Sequence, residues 1–263
     1  MRSLALAALL AVSTAVSAQE VRLYAAGSLR GVMNEIGAAF QQQTGTRVTG
    51  EFGSSGLLRD RLAKGEAADV FASANMEHPQ ALAQGGRAGP VRMFARNRLC
   101  ALAAPAAKAT TDNLLERMLD PALKLATSTP KADPSGDYAW ALFARAEAVK
   151  PGARAALEAR ALKLTGGPDS PPPPKDRSVY GMLVADGKAD IFLTYCTNAV
   201  VAQREQPALQ VVQVPSALSV GADYGLTVLQ GAGPQGAAFA AFVLSAPAQA
   251  ILARHGFDTN STP

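Results

Sequence analysis

Serines recur in this 263-residue chain where a short apolar run gives way to a helical pattern. Ser28 lies in "AAGSLRG" (25–31), Ser54 and Ser55 in "EFGSSG" (51–56), and Ser135 in "STPKADPSGDYAW" (128–140). The first backbone N–H groups of a helix lack internal partners, and the helix dipole makes that end positive. Such a junction can bind an anion, with serine hydroxyls adding donors and glycines allowing close approach. The competing reading is plain N-capping, for which serine is a preferred residue. Tyr195 ends the apolar run "DIFLTY" and offers either a phenol donor or a half-buried core ring. "KDRSVYG" (175–181) opens another helical pattern, with N–H groups near Arg177 and Ser178.

Other chemistries fit less well. "FGSSG" fails the G-x-S-x-G pattern of a hydrolase nucleophile elbow, because Gly53 and Gly56 are too close together. The two histidines, His78 beside Pro79 in an expected loop and His255 near the C-terminus, are poor candidates for a triad base or a catalytic metal site. Cys100 and Cys196 lie in strand-like runs and can form a disulfide in an oxidising compartment, or remain two buried thiols. A net charge of +4 with no basic run interleaved with aromatics gives no reason to expect a nucleic-acid partner.

The elements that must position the serines follow from hydrophobic periodicity. "VRLYAAG" (21–27), "RVTGEFG" (47–53) and "ADVFASA" (68–74) read as strands. Between them, Leu29, Val32, Met33, Ile36 and Phe40 mark one amphipathic helix, which Gly45 stops, and Leu57, Leu58 and Leu62 mark a second. Further strands are expected over 91–105, 123–130 and 221–231, a helix over 138–149, and closing helices after 235. Alternating strands and helices argue for α/β architecture with mostly parallel sheets flanked by helices. The proline-rich stretch over 163–181 reads as a rigid surface excursion that acts as a spacer.

Residues 1–18 carry one early cation, an apolar run and small residues at Val16 and Ala18, the pattern of a secretory signal cut after Ala18. No cysteine follows the run, so no lipid anchor is expected. The remainder divides into lobe 1, over 19–95 and 222–263, and lobe 2, over 96–221, with two crossing strands as a hinge and a cleft between.

Four ordered segments, "AAGSL", "AFQQQTGTRV", "FGSS" and "GEAADVFASA", resemble the molybdate-binding periplasmic proteins of molybdate ABC transporters. The similarity continues through "ADIFLTYCTNAV" and "AQAILARHGF". It implies a two-lobed, type II periplasmic binding protein and a monomer that delivers molybdate or tungstate to a membrane permease. It implies no cofactor and no enzymatic activity. By position, Ser28 and Ser55 correspond to hydroxyl donors, Ser135 and Arg177 to backbone N–H donors, and Tyr195 to a phenol donor. Two departures stand out: the proline loop is long and stiff, and Arg177 puts a cation where a small aliphatic residue is usual.

A pocket made only of N–H and O–H donors would select fully deprotonated dianions, because the O–H of protonated phosphate would find no acceptor. A handful of charge-assisted bonds, roughly 1.5–3 kcal/mol each, would give micromolar to nanomolar affinity. Arg177 keeps another anion open, such as sulfate or a small carboxylate. A secreted serine hydrolase and a ligand-sensing module are the remaining alternatives.

Overall fold

The computed structural model describes residues 20–174 and 176–259. Residues 1–18, expected to be a signal segment, and Lys175 of the proline loop lie outside the described residues.

The first half of the chain builds three parallel strands. β1 (Glu20–Ala26) passes through a 3-10 turn into α1 (Arg30–Thr44) and returns as β2 (Arg47–Gly53); α2 (Ser55–Ala63) leads to β3 (Val70–Ser73) and α3 (Glu77–Gln84). β2 and β3 flank β1 in parallel, so all three carboxyl ends open on one edge. α1 lies on this sheet because Val32, Met33, Ile36 and Phe40 share a face and are buried. It ends where Gly45 adopts φ 75° and its N–H caps the Gln41 carbonyl.

β4 (Arg92–Ala103) then crosses the molecule. Its first part, to Arg98, pairs antiparallel with β9 (Gly221–Val228), which also borders β3. From Leu99 onward it pairs with β7 (Ile191–Tyr195), and from Cys100 with β8 (Gln210–Gln213). The second sheet is completed by β5 (Leu125–Ser128), parallel to both β7 and β6 (Leu162–Thr165). The helices of this half are α4 (Leu114–Leu119), α5 (Pro134–Val149), α6 (Ala153–Arg160), α7 (Val179–Ala185) and α8 (Cys196–Glu205). Two sets of parallel strands are therefore joined through the antiparallel strands β4 and β9, as a mixed, two-lobed α/β fold.

The chain returns to the first lobe as α9 (Pro234–Val243) and α10 (Ala246–Arg254). Phe239 and Phe242 meet Phe40 with ring centroids 5.3 and 5.4 Å apart. A fully buried phenylalanine such as Phe239 contributes roughly 1.5–3 kcal/mol. Among the described residues, no single helix is long and apolar enough to cross a membrane.

Cys100 in β4 and Cys196, the first residue of α8, form a disulfide across a sequence separation of 96. Cys196 thus opens a helix, where its sequence reads as a strand. In the chain-entropy picture a loop of that size is worth about 4–5 kcal/mol.

Candidate functional site

The carboxyl ends of β1, β2, β5 and β7 face one another across a cleft of about 670 Å³. Ser28, Ser54, Ser55, Arg177 and Tyr195 all line it, and Ser135 does not.

None of Ser28, Ser54 and Ser55 caps a helix through its side chain. Ser54 holds the N-cap position of α2, yet its side chain makes no capping bond. The hydroxyls are used elsewhere. Ser28 Oγ lies 3.0 Å from Tyr224 Oη of β9. Ser55 Oγ accepts the Ala74 N–H at 3.1 Å, just beyond β3. Because that bond uses an oxygen lone pair, the Ser55 hydroxyl hydrogen stays available as a donor. Tyr195 Oη donates to the Ala74 carbonyl at 3.3 Å, and its ring tilts against Tyr224 at 5.5 Å. Ser28, Tyr224, Tyr195, Ala74 and Ser55 therefore form a connected set spanning both lobes. Burial, before neighbouring charge, pushes the Tyr195 phenol well above its ordinary range, so it remains a donor.

Backbone contacts also cross the cleft. The Gly56 N–H donates to the Ala132 carbonyl at 2.9 Å. A Cβ at Gly56 would stand 2.5 Å from the Lys131 carbonyl oxygen, so glycine is required for the lobes to meet here.

The third junction corrects the sequence reading. α5 starts at Pro134 rather than Tyr138, which places Ser135 inside the first turn. Its N–H donates to Asp133 Oδ1 at 3.0 Å, so this N–H is already engaged by a carboxylate of the chain itself. Ser135 Oγ is fully buried and makes no hydrogen bond. Asp133 is the N-cap of α5 and lines the cleft, and Ser54 Oγ faces its Oδ2 at 3.5 Å. Burial pushes the Asp133 carboxyl up to about 6, against the lowering effect of the Ser135 N–H. Gly166, at φ 79°, packs so closely that a Cβ would lie 2.6 Å from Asp133 Oδ2. The cleft thus holds a carboxylate among its donors, contrary to the donor-only lining expected from the sequence.

The proline loop is also not a mere surface spacer. Pro168, Pro171, Pro172, Pro173 and Pro174 form one wall of the cleft. Arg177 is exposed at the rim, and the next N–H, of Ser178, donates to Glu205 Oε2 at 2.7 Å. Among the described residues Arg30 and Arg177 make no salt bridge, whereas Arg61 is held by Glu66 and Glu51.

Neither histidine lines the cleft. His78 lies in the first turn of α3 rather than a loop, and Arg59 Nη1 approaches its Nδ1 at 3.2 Å. Desolvation first, then the Arg59 charge, pushes His78 down to about 4, so it is neutral at pH 7. His255 Nε2 contacts Glu35 at 2.7 Å. Ser55 therefore has no histidine base within the site. No group of three or more potential metal-ligating side chains occurs among the described residues.

The sequence signals for Ser28, Ser55 and Tyr195 found the strand ends. Asp133 and Tyr224 were missed. Asp133 carried a usable signal, as an Asp-Pro pair opening a helix. Tyr224 carried none, because its partner is 196 residues away.

Two lobes joined by crossing strands, with hydroxyls and backbone groups of both around one cleft, define a solute-binding protein of the two-lobed kind. The sequence over residues 21–258 matches the family of bacterial extracellular solute-binding proteins, and the chain belongs to that family. An uncharacterized protein of Pasteurella multocida (strain Pm70), PM1146, is 38% identical over 207 residues, 78% of this chain and 86% of that protein.

Among solved structures, the sulfate-binding protein SubI of Mycobacterium tuberculosis H37Rv aligns with TM-score 0.75 and 19% identity over 92% of this chain and 88% of its own. The periplasmic molybdate-binding protein of Azotobacter vinelandii aligns with TM-score 0.70 and 16% identity over 90% and 98%. AfuA of Actinobacillus pleuropneumoniae, with fructose-6-phosphate bound, aligns with TM-score 0.70 and 13% identity over 91% and 83%. At these identities the three share the fold, while the ligands in their names differ.

Proposed function

We propose that this chain is the periplasmic receptor of an ABC importer and captures an anion through a tetrahedral oxyanion group. The observation that carries this reading is the convergence of Ser28, Ser55 and Tyr195 at one cleft, with the Ser55 hydroxyl hydrogen free to donate. The Ser28 and Ser55 hydroxyls would hold the oxyanion, with Arg30 and Arg177 lining the same cleft, and closure about β4 would remove it from water. The contacts from Gly56 to Ala132 and from Tyr195 to Ala74 are the lobe-to-lobe bonds that closure would make. The closed face would then be presented to a membrane permease.

Molybdate or tungstate is the ligand implied by the sequence resemblance, and the Azotobacter vinelandii structure supports it by name. A second reading is favoured by the cleft itself. About 670 Å³ and a wall of five prolines suit an oxyanion that is the head group of an organic molecule. Titration calorimetry with molybdate, tungstate, sulfate, inorganic phosphate and small phosphate esters tests both. Binding of none of these, or binding unaffected by Ser55→Ala, would sink the oxyanion reading.

A further inference from the structure

We propose that Asp133 is a specificity-determining residue and that the cleft takes a hydroxylated organic phosphate, with its phosphoryl group at Ser28 and Ser55 and a hydroxyl donating to the Asp133 carboxylate. The inference rests on the oxyanion reading above and narrows it to one ligand class.

Three observations carry it. First, the carboxylate is only half used. Oδ1 receives the Ser135 N–H at 3.0 Å, whereas Oδ2 has only the Ser54 hydroxyl at 3.5 Å, across the cleft. A carboxylate oxygen accepts more than one hydrogen bond, so Oδ2 retains accepting capacity beside Ser54, and both residues line the cavity.

Second, no described cation forms a salt bridge with Asp133. The titratable groups around it are Asp137 on its own helix, Tyr180 from α7 and Tyr195 from β7. Asp137 Oδ1 accepts the Lys131 N–H at 2.7 Å. Ser54 and Ser55 on α2, and Thr165 to Gly167 on the remaining side, carry no charge. Arg30, Arg61 and Arg177 line the same cleft, but none of them forms a salt bridge with Asp133. A ligand hydroxyl would make a charge-assisted bond, roughly twice as strong as a neutral one.

Third, the prolines 168 and 171–174 give an organic body something to lie against, for which an inorganic tetrahedral anion has no use. Burial raises the Asp133 carboxyl to about 6, so the charge is present at neutral pH and can be removed by mild acid.

The test is calorimetry on the full mature chain with glycerol 3-phosphate, propyl phosphate and molybdate. Wild type, Asp133→Asn and Ser55→Ala are compared at about pH 5.5, 6.5 and 8. Asn is as good an N-cap as Asp, so α5 should be retained. Wild type should prefer glycerol 3-phosphate to propyl phosphate by about tenfold or more at pH 8, corresponding to ~1.4 kcal/mol. Wild-type affinity for molybdate should be weaker at pH 8 than at pH 5.5, because the charged Asp133 carboxylate repels a dianion that brings it no hydroxyl. Asp133→Asn should flatten that pH dependence and shrink the hydroxyl preference.

Equal affinity for the hydroxylated and plain esters overturns the proposal. So does pH-independent molybdate binding, or a selectivity unchanged in Asp133→Asn, which would leave Asp133 as a helix cap only. In each of those cases Ser55→Ala should still weaken anion binding, and the broader reading survives. If no anion binds any of the three proteins, both readings fall together.

Discussion

Ser28 and Tyr224 are 196 residues apart in sequence and their hydroxyl oxygens are 3.0 Å apart. The bond fixes the Ser28 hydroxyl at the head of the cleft and ties the first strand-helix junction to β9, one of the two strands that join the lobes. Tyr224 also receives Asn97 Nδ2 at 3.5 Å, and that amide is held at 2.9 Å by Thr197.

Tyr224→Phe keeps the ring but releases Ser28. The expected result is a three- to tenfold loss of anion affinity and a stability loss of about 1 kcal/mol, the usual worth of one buried hydrogen bond. Calorimetry and urea unfolding measure the two separately. An unchanged affinity would show that Ser28 needs no positioning.

Ser55→Ala removes a proposed ligand donor and leaves the Ala74 N–H without its partner. Affinity should fall by about ten- to a hundredfold, and stability by about 1–3 kcal/mol. Ser55→Thr should recover part of the stability, since its oxygen can still accept that N–H.

Gly56→Ala tests closure. The added methyl would lie 2.5 Å from the Lys131 carbonyl oxygen, a group on the opposite lobe. The ligand-free protein, if its lobes are apart, should melt as wild type does. Affinity should drop by roughly tenfold or more, because the methyl meets that carbonyl only when the lobes close. Small-angle scattering should show ligand-induced compaction in wild type and little in the variant. Full compaction in Gly56→Ala would refute the role given to this close approach.

The Asp133 carboxyl, raised to about 6 from an ordinary 3.8, binds its proton more tightly in the folded protein than in the unfolded chain. Its stabilising effect is therefore complete below about pH 4 and is lost as pH rises through about 6. Asp133→Asn should be more stable than wild type at pH 7.5, by on the order of 1–3 kcal/mol, and the gap should close below pH 4. Paired denaturant melts across that window isolate this group from the other carboxylates.

Replacing both Cys100 and Cys196 by Ser should lower stability by about 2–5 kcal/mol, a fall in Tm on the order of 10 °C. Reduction of the wild type should move Tm in the same direction. A Tm unaffected by either treatment would mean that the bridge adds nothing to the closed β4–α8 junction.

Local pattern made most of the elements legible. The three- and four-residue spacing through Val32, Met33, Ile36 and Phe40 marked α1, and Gly45 marked its end, because amphipathicity and a left-handed cap are properties of neighbouring residues. The strand ends bearing Ser28, Ser55 and Tyr195 could be read for the same reason. The choice between cap and cleft hydroxyl could not, because Ser28 and Ser55 find their partners in Tyr224 and Ala74 rather than in their own helices.

The proline loop and Asp133 were hidden differently. Four consecutive prolines dictate a stiff extended segment but not what it faces, and here it faces the cleft. An Asp before a proline predicts a cap, and Asp133 is one. Only the tertiary structure shows that its second oxygen meets Ser54 of the other lobe, at a cleft that both residues line.

The sequence by itself determined the alternation of strands and helices, the two lobes and the hydroxyl-bearing strand ends, since these follow from periodicity and local backbone chemistry. The tertiary structure alone decided which groups converge. Hydrogen bonds and close approaches such as Ser28 to Tyr224, or Gly56 to Ala132, depend on how separate lobes meet. No local propensity encodes the distance between residues that far apart in the chain.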